Sequence, residues 1–509
     1  MLANVYSSSV IGIDAYIVQV EVDISRGLPS FSTVGLAEGA VRESKERVKA
    51  ALKNSGYHFP ADRITVNLAP ADIKKEGSGF DLPIGIGILA ATGLIHQSSL
   101  ADHIIIGELS LDGRIRPIKG ALSITIMVKE LGLKGIYLPF ENAKEAGVVQ
   151  KINVYPVNEL SQLVQSLNGA KRIRPISIEG YPVGNIPNYD IDFTDVCGQE
   201  NVKRSLEIAA AGGHNVLMIG PPGAGKTMLA QRLSTILPNL TFEESIETSK
   251  VYSVMGLMPK EHGLITIRPF RAPHHTISDA GLIGGGHIPK PGEVSLAHNG
   301  VLFLDEMPEF KKNVLEVLRQ PMESGLVTIS RASSTVTYPA NFILVGAMNP
   351  CPCGFFGDPK RECTCSYREI KRYRAKISGP LMDRIDIHVD VPSVPFRDLR
   401  EASQGKSSSE IRNRVIAARN IQEKRFHKAK FHTNAMMNSR HIRKFCQIDE
   451  KSTDLLEMAM EKFGLSARAL SRILKISRTI ADLEGSQDIE EAHVSEAIQY
   501  RSMDRKLIV

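Results

Sequence analysis

Eight consecutive residues have the types and spacing needed to hold a nucleoside triphosphate. They read GPPGAGKT and match the pattern G-x-x-x-x-G-K-[ST]. Glycines let backbone N–H groups turn inward around phosphate oxygens, and a following helix contributes the partial positive charge of its N-terminus. In this pattern Lys226 reaches the β- and γ-phosphates and the Thr227 hydroxyl binds Mg²⁺. The predicted ATP-binding loop is therefore Gly220, Pro221, Pro222, Gly223, Ala224, Gly225, Lys226 and Thr227.

Two adjacent carboxylates follow an apolar run about 80 residues later, in residues 301–306 (VLFLDE). After a buried parallel strand, Asp305 would hold magnesium and Glu306 would polarise the attacking water, which predicts a hydrolase. A third apolar run, 342–346, ends near Asn349. Its side chain either aligns the water against the γ-phosphate or simply opens the turn before Pro350.

Four of the six cysteines lie close together, as the pairs Cys351-x-Cys353 and Cys363-x-Cys365. Disulfides are disfavoured in a reducing cytoplasm, and four thiolates suit tetrahedral zinc, although C-x-C is tighter than the usual spacing. The two interpretations are a structural zinc site and reduced thiols in a surface loop. The isolated Cys197 and Cys446 are expected only to pack.

The elements that must position these groups predict an α/β protein. Residues 1–170 alternate short β-branched runs (16–22, 63–68, 104–106 and 135–138) with helical segments, and 171–190 contain three prolines and read as a linker. In residues 191–395, continuous apolar runs at 215–219, 300–304 and 342–346 alternate with helices, which is typical of a parallel sheet buried on both faces. Residues 396–509 predict a helical domain.

Composition places the chain among ordinary globular proteins, with 42% hydrophobic and 23% charged residues and a net charge of +6. It contains no long apolar run and no secretory signal pattern, so we expect a soluble cytoplasmic protein without a membrane span. Residues 397–444 hold 13 Lys/Arg against 4 Asp/Glu. This excess indicates either a solvated helix face or a surface for nucleic acid.

Seven segments carry a resemblance to a known family: GQENVKRSLEIAAAGGHNVLMIGPPGAGKT, PFRAPHHTIS, HNGVLFLDE, MNPCPCG, SGPLMDRIDIH, SARALSRI and AIQYRSMDR. The chain resembles the Mg-chelatase-like AAA+ ATPases of the ComM/YifB type, in which a Lon-protease-like domain precedes an AAA+ core and a helical lid. The resemblance implies that Asn349 is the sensor-1 residue. It also implies that Arg384 is an arginine finger offered to the neighbouring subunit, that Arg468 is the sensor-2 arginine of the lid, and that the subunits form hexamers.

The resemblance further implies helicase and branch-migration work on single-stranded or branched DNA during recombination in natural transformation, alongside recombination proteins. Residues 326–337 (LVTISRASSTVT) look like a pore hairpin, in which Arg331 is either a DNA phosphate contact or a solvated charge. The pair His274–His275 fits a structural or pore-loop role better than a metal site, because adjacent side chains point different ways.

Residues 75–140 resemble the proteolytic domain of Lon, but the catalytic pair is absent. Asp81 stands where the serine nucleophile should be and Leu122 where the lysine should be. We therefore expect no peptidase activity, and a role in ring assembly or in binding DNA or a partner. Three alternatives stay open: a chelatase motor subunit, an ATP-dependent protease, and a protein remodeller with no DNA role.

Overall fold

The computed structural model describes residues 1–36, 39–73, 75, 77–176, 189–259, 261–286, 289–331, 334–359, 361–394, 405–429 and 431–502. Most of the predicted linker and the predicted start of the helical domain lie outside these ranges. Within them, every helix is too short or too polar to cross a membrane.

The strands are, in chain order, β1 (Leu2–Ile11), β2 (Asp14–Ser25), β3 (Ser30–Val34), β4 (Arg63–Ala69), β5 (His103–Ile105), β6 (Glu108–Leu109), β7 (Ile115–Arg116), β8 (Gly135–Pro139), β9 (Asn153–Val157), β10 (Val216–Ile219), β11 (Phe270–Arg271), β12 (Gly284–Gly285), β13 (Lys290–Pro291), β14 (Gly300–Leu304), β15 (Leu326–Arg331), β16 (Ser334–Pro339), β17 (Phe342–Met348) and β18 (Ile387–Asp390).

The helices are α1 (Gly39–Arg42), α2 (Ser44–Asn54), α3 (Asp81–Ala91), α4 (Ala121–Glu130), α5 (Ala143–Ala146), α6 (Leu160–Leu167), α7 (Glu200–Gly212), α8 (Lys226–Ile236), α9 (Phe242–Met255), α10 (Asp279–Leu282), α11 (Glu293–Leu296), α12 (Lys312–Glu316), α13 (Arg319–Ser324), α14 (Tyr367–Arg374), α15 (Gly379–Met382), α16 (Ser408–Phe426), α17 (Ser439–Phe445), α18 (Glu450–Phe463), α19 (Ala467–Glu484) and α20 (Glu491–Gln499).

The chain folds into two compact units: Met1–Val183 with Thr241–Ile265, and Gly184–Leu240 with Thr266–Val509. The first contains a seven-stranded sheet in the order β3-β4-β2-β1-β5-β8-β9. β1 and β2 form a long antiparallel hairpin, whereas β5, β8 and β9 run parallel. All four runs predicted in this region are strands. α3 is buried nearly all round and packs into the centre of the unit's core, because it carries almost no polar side chains.

The second unit is built on a parallel five-stranded sheet in the order β11-β14-β17-β10-β18. The three apolar runs predicted here are the central strands β10, β14 and β17, whose residues are almost all buried. The outer strands β11 and β18 were not predicted, because β11 contains only two residues and β18 alternates apolar with polar residues instead of forming a continuous apolar run. The parallel sheet predicted from the continuous apolar runs is confirmed.

The helices after residue 405 complete this second unit, and the predicted helical character of the region is confirmed within the described residues. α16 packs its apolar face against α7 and α8, and Gln422 donates a hydrogen bond to the carbonyl oxygen of Ala211 at 3.0 Å. The sheet and these helices share one hydrophobic core.

One helix departs from the simple order of domains. α9, with its preceding cap at Thr241, packs within the first unit although it lies between segments of the second. There Ser253 donates a hydrogen bond to Glu145 at 2.8 Å, and Lys250 pairs with Asp14 at 2.5 Å. Local sequence carries no signal for such an insertion, and the domain division drawn from the sequence stays a prediction.

Candidate nucleotide site

Three loops meet at the carboxyl edge of the second sheet. The register pairs Ile219 with Met348 on β10 and β17, and Leu304 with Gly346 on β14 and β17. Because these strands are parallel, the loops that follow them emerge at the same edge. The phosphate loop, the acidic pair and Asn349 are thereby brought together.

The phosphate loop owes its path to glycines at two critical positions. A Cβ on Gly220 would lie 2.2 Å from the carbonyl oxygen of Val391, so only glycine fits between the neighbouring strands. Gly225 has φ +85° and turns the chain into α8, which begins at Lys226. The loop therefore ends at a helix N-terminus, where backbone N–H groups favour an anion.

The Lys226 ammonium is held at the mouth of this loop by neutral oxygens. It donates to the carbonyl oxygens of Gly220 at 2.7 Å and Pro221 at 3.0 Å, and to Asn349 Oδ1 at 3.0 Å. Burial lowers the pKa of Lys226, while Asp305 and Glu306 oppose that shift. A partly buried cation with neutral acceptors is suited to binding phosphate oxygens.

Thr227 and Asp305 form the second half of the site. The Thr227 hydroxyl donates to Asp305 Oδ2 at 2.7 Å, which places two oxygen ligands side by side. Hydroxyl and carboxylate oxygens, completed by phosphate oxygens and water, are the ligands that Mg²⁺ prefers. The residues present therefore fit a nucleotide-bound magnesium ion.

Glu306 follows in a strained backbone conformation. Its φ is +48°, in the left-handed region that non-glycine residues seldom adopt, and its side chain is 58% exposed. Such strain costs about 1–3 kcal/mol and concentrates at functional sites. His275 Nδ1 lies 3.8 Å from Glu306 Oε2. The structure thus places one histidine of the pair beside the acidic pair.

A cavity of about 530 Å³ opens beside these carboxylates. Its lining combines catalytic candidates with the helix that follows the cysteine pairs: Glu306, Glu309, Asn349, Pro352, Glu369, Arg372, Tyr373 and Lys376. Lys376 pairs with Glu309 at 3.1 Å. Charged side chains of both signs line the cavity, which borders the predicted water-activating residue.

Sequence reasoning missed Gln199 as well as the proximity of His275 to Glu306. Gln199 has φ +56° and donates to the carbonyl oxygens of Ala224 at 3.0 Å and Pro392 at 2.8 Å. It therefore ties the phosphate loop to the segment after β18. A lone glutamine before a helix gives no signal of such a role, because its partners are distant in sequence.

The two predicted arginines do not join this edge. The Arg384 carbonyl oxygen accepts from Asn215, which immediately precedes β10, so Arg384 lies at the amino end of the sheet. Its guanidinium is largely buried and pairs with Glu323. Arg468 is 65% exposed and lies 3.9 Å from Asp383. Both arginines therefore sit at the edge opposite the phosphate loop of their own chain.

The predicted hairpin is present as β15 and β16. Leu326 pairs with Pro339 at one end of the hairpin, and Arg331 pairs with Ser334 at the other. Arg331 is exposed, and a Cβ on Gly285 would lie 3.4 Å from its Nη2. Tyr338 donates to the Pro289 carbonyl oxygen at 2.6 Å, which fixes this hairpin against the shorter one formed by β12 and β13.

Several arginines in the described part of the basic segment have partners inside the unit. Arg414 pairs with Glu207 at 2.6 Å, and Arg425 pairs with the buried Asp482 at 2.5 Å. Arg419 donates to a backbone carbonyl at 2.7 Å. Charge counting alone therefore overstates the cationic surface that this segment offers.

In the first unit, Asp81 and Leu122 are both buried. Arg47 binds Asp81 through two hydrogen bonds, at 2.7 Å from Nε and 3.0 Å from Nη2. Burial raises the pKa of Asp81 to about 6, against the opposing effect of Arg47. Leu122 packs in an apolar cluster with Val148, and the two positions offer neither the serine nor the lysine of the Lon pair.

Three family descriptions match the chain, and they cover most of both units. Residues 192–399 match "Magnesium chelatase, subunit ChlI", residues 20–142 match "Subunit ChlI of Mg-chelatase", and residues 405–501 match "Magnesium chelatase, subunit ChlI C-terminal". The first of these spans the phosphate loop, the acidic pair, Asn349 and Arg384.

Two bacterial relatives match over almost their whole length. "Competence protein ComM" of Haemophilus influenzae is 45% identical over 99% of this chain and 98% of its own length, and "Uncharacterized protein YifB" of Salmonella typhimurium is 43% identical over 100% and 98%. The magnesium-chelatase 38 kDa subunit of Rhodobacter capsulatus is 26% identical over 31% of this chain and 50% of its own length. The chain therefore belongs to the ComM/YifB family of Mg-chelatase-like proteins.

Proposed function

We propose that the chain is an ATP-hydrolysing motor that acts on DNA. The observation that supports it most is the convergence of Lys226, Thr227, Asp305 and Asn349 at one sheet edge, joined by hydrogen bonds of 2.7–3.0 Å. These groups combine a cation for phosphate oxygens, oxygen ligands for magnesium, and an amide near the γ-phosphate position.

In the proposed reaction the chain positions ATP and water. Backbone N–H groups of the phosphate loop and the Lys226 ammonium bind the phosphates, and Asn349 orients the water. Glu306 accepts a proton from that water as it attacks the γ-phosphate, and ADP leaves. Magnesium, held by Thr227 and Asp305, would neutralise charge on the β- and γ-phosphates.

A ring of subunits supplies the remaining charge. Arg384 and Arg468 lie at the amino edge of their own sheet, so we propose that both serve the nucleotide of a neighbouring subunit. Arg384 would have to leave Glu323 to do so, which would link hydrolysis to assembly. A homohexamer is the proposed assembly.

The β15–β16 hairpin is the proposed DNA contact, with the exposed Arg331 binding phosphates without reading bases. The name of the Haemophilus influenzae relative, "Competence protein ComM", supports a role in competence. The proposed activity is helicase-driven branch migration, with recombination proteins as partners. A protein remodeller with the same ATPase site is the second candidate.

The first unit is proposed to be a Lon-like domain without peptidase activity. The buried pair of Asp81 with Arg47 and the apolar surroundings of Leu122 support that proposal, because no proton transfer to or from a serine is possible there. The proposed role of the unit is ring assembly or the binding of DNA or a partner.

The deciding experiment is ATP-dependent branch migration of a labelled four-way DNA by wild type, Lys226→Ala and Glu306→Gln. The exposed Lys53→Ala serves as the matched control and should keep full activity. Activity in wild type and control, but in neither site variant, supports the DNA motor. ATP hydrolysis without binding or movement of DNA would replace it with the protein remodeller, and stimulation by a porphyrin would favour a chelatase subunit.

A further inference from the structure

The two cysteine pairs converge although nine residues lie between them in the sequence. Cys351 Sγ lies 3.3 Å from Cys353 Sγ and 3.7 Å from Cys363 Sγ, and Cys353 Sγ lies 3.6 Å from Cys363 Sγ. All four sulfur atoms, including that of Cys365, lie within 4.8 Å of one another. A compact cluster of four thiols is a chemical arrangement that packing alone seldom requires.

These separations match one metal ion better than disulfides. Zinc–sulfur bonds of about 2.3 Å in a tetrahedron place sulfur atoms about 3.8 Å apart. A disulfide instead needs sulfur atoms about 2.05 Å apart. Three of the sulfur separations, 3.3, 3.6 and 3.7 Å, are close to the tetrahedral value.

Two backbone N–H groups point at sulfur atoms of the cluster. Cys353 N–H donates to Cys365 Sγ, and Phe356 N–H donates to Cys351 Sγ, both at 3.3 Å. Donors aimed at sulfur stabilise thiolates and orient them around a metal. Cys351 is fully buried, and the other three side chains are half-buried, so water has restricted access to the cluster.

We propose that Cys351, Cys353, Cys363 and Cys365 bind one structural Zn²⁺ ion. Each thiol gives its proton to solvent on binding, so four thiolates and one Zn²⁺ form a centre of net charge −2. Four protein ligands fill the tetrahedron and leave no open position for catalysis. Arg374, whose guanidinium lies 5.2 Å from the Phe356 ring, offers nearby compensating charge.

The metal site also supports the nucleotide site, a second step that rests on the proposed function. Gly354 packs so closely that a Cβ there would lie 2.5 Å from Pro222 Cδ of the phosphate loop. Arg374 donates to the Pro350 carbonyl oxygen at 3.2 Å, one residue from Asn349. Zinc therefore holds a loop that contacts both the phosphate loop and the sensor asparagine.

The test is the zinc content of the full chain, purified without an affinity metal and measured by mass spectrometry. We expect about one zinc ion per chain in wild type and in the control Cys197→Ala, and loss of zinc in Cys353→Ser/Cys365→Ser. A wild type that contains no zinc, takes none up from zinc chloride, and exposes the four thiols to Ellman's reagent as fast as Cys197 overturns the proposal.

Cobalt titration of wild-type protein keeps the test decisive if the double variant does not fold. Tetrahedral thiolate ligation gives intense sulfur-to-cobalt charge-transfer absorption, whereas ligation by oxygen or nitrogen alone does not, and its absence would exclude the four-sulfur site. ATPase assays then separate the two proposals. Zinc binding without any ATP hydrolysis contradicts only the proposed function, whereas unchanged hydrolysis after zinc removal contradicts only the supporting role of the metal.

Discussion

Two helices begin with a buried charge, and they differ in what neutralises it. At the start of α8, Lys226 donates only to neutral oxygens of Gly220, Pro221 and Asn349. At the start of α3, Asp81 receives two hydrogen bonds from Arg47. Each charge lies beside backbone N–H groups at a helix N-terminus, where an anion is favoured and a cation is not.

The difference separates a binding site from a structural pair. Asp81 is a carboxylate at a helix N-terminus, which favours an anion, and it already binds Arg47. It therefore needs no ligand. Lys226 is a cation at the unfavourable end with neutral partners, and an anion would satisfy both the ammonium and the helix N-terminus. A buried charge whose direct hydrogen-bond partners are all neutral therefore indicates ligand binding more strongly than one that already binds a counter-charge.

The largest expected effect is at Glu306, the proposed proton acceptor of the nucleotide site. Glu306→Gln keeps the side-chain volume but removes the proton acceptor, so ATP hydrolysis should fall about 10²–10⁴-fold. Binding of a fluorescent ATP analogue should stay within a few-fold of wild type. The matched control is Glu309→Gln in the same cavity, which should retain most activity. Equal losses in the two variants would contradict a special role for Glu306.

Lys226→Ala should lower ATP hydrolysis about 10²–10³-fold and weaken nucleotide binding, because a preorganised cation is lost. The unfolding midpoint should hardly change, since only neutral partners are released. Differential scanning fluorimetry with and without ATP measures both effects. If the variant were strongly destabilised yet still bound ATP, the distinction between α8 and α3 would be wrong.

Arg47→Ala should destabilise the protein and leave nucleotide binding unchanged, the opposite of Lys226→Ala. It leaves Asp81 buried without its counter-charge, which should destabilise the protein by about 3 kcal/mol, the lower end of the range because Asp81 can take up a proton. Denaturant unfolding measures this change, and nucleotide affinity below the transition should match wild type. The nearby exposed Lys53→Ala is the control and should cost little. Lost ATP binding in folded Arg47→Ala would contradict a purely structural pair.

The free energy of unfolding should also depend on the ionisation of Asp81. The folded pKa of Asp81 is raised to about 6 by burial, above the unfolded value. Its favourable contribution is therefore complete below about pH 4 and is lost as pH rises through about 6, by about 3 kcal/mol. Asp81→Asn should remove this loss. Unfolding free energies of the two proteins between pH 4 and 7.5 should diverge accordingly, and parallel curves would contradict the shift.

The smallest expected effect is at His275, whose contact with Glu306 is long and partly exposed. His275→Ala should lower hydrolysis about fivefold, corresponding to about 1 kcal/mol. His274→Ala, one residue away, is the matched control and should have a smaller effect. Steady-state ATPase assays of the two variants measure the difference. The reverse order would show that His274 is the residue that acts on Glu306.

The sequence by itself determined the central strands and the residues that follow them. Continuous apolar runs require burial on both faces, so β10, β14 and β17 were predictable, as was the meeting of Lys226 with Asp305 and Asn349 at their carboxyl ends. The spacing of the two cysteine pairs left a structural zinc site and reduced thiols both open. Each of these conclusions depends on local pattern and on parallel strand geometry.

Only the tertiary structure decided which charges find partners. The pairing of Arg47 with Asp81, the approach of His275 to Glu306 and the support of the phosphate loop by Gln199 all join residues that are distant in sequence. The placement of α9 in the first unit is of the same kind. Local propensity carries no information about such contacts, because they depend on how packed elements meet in space.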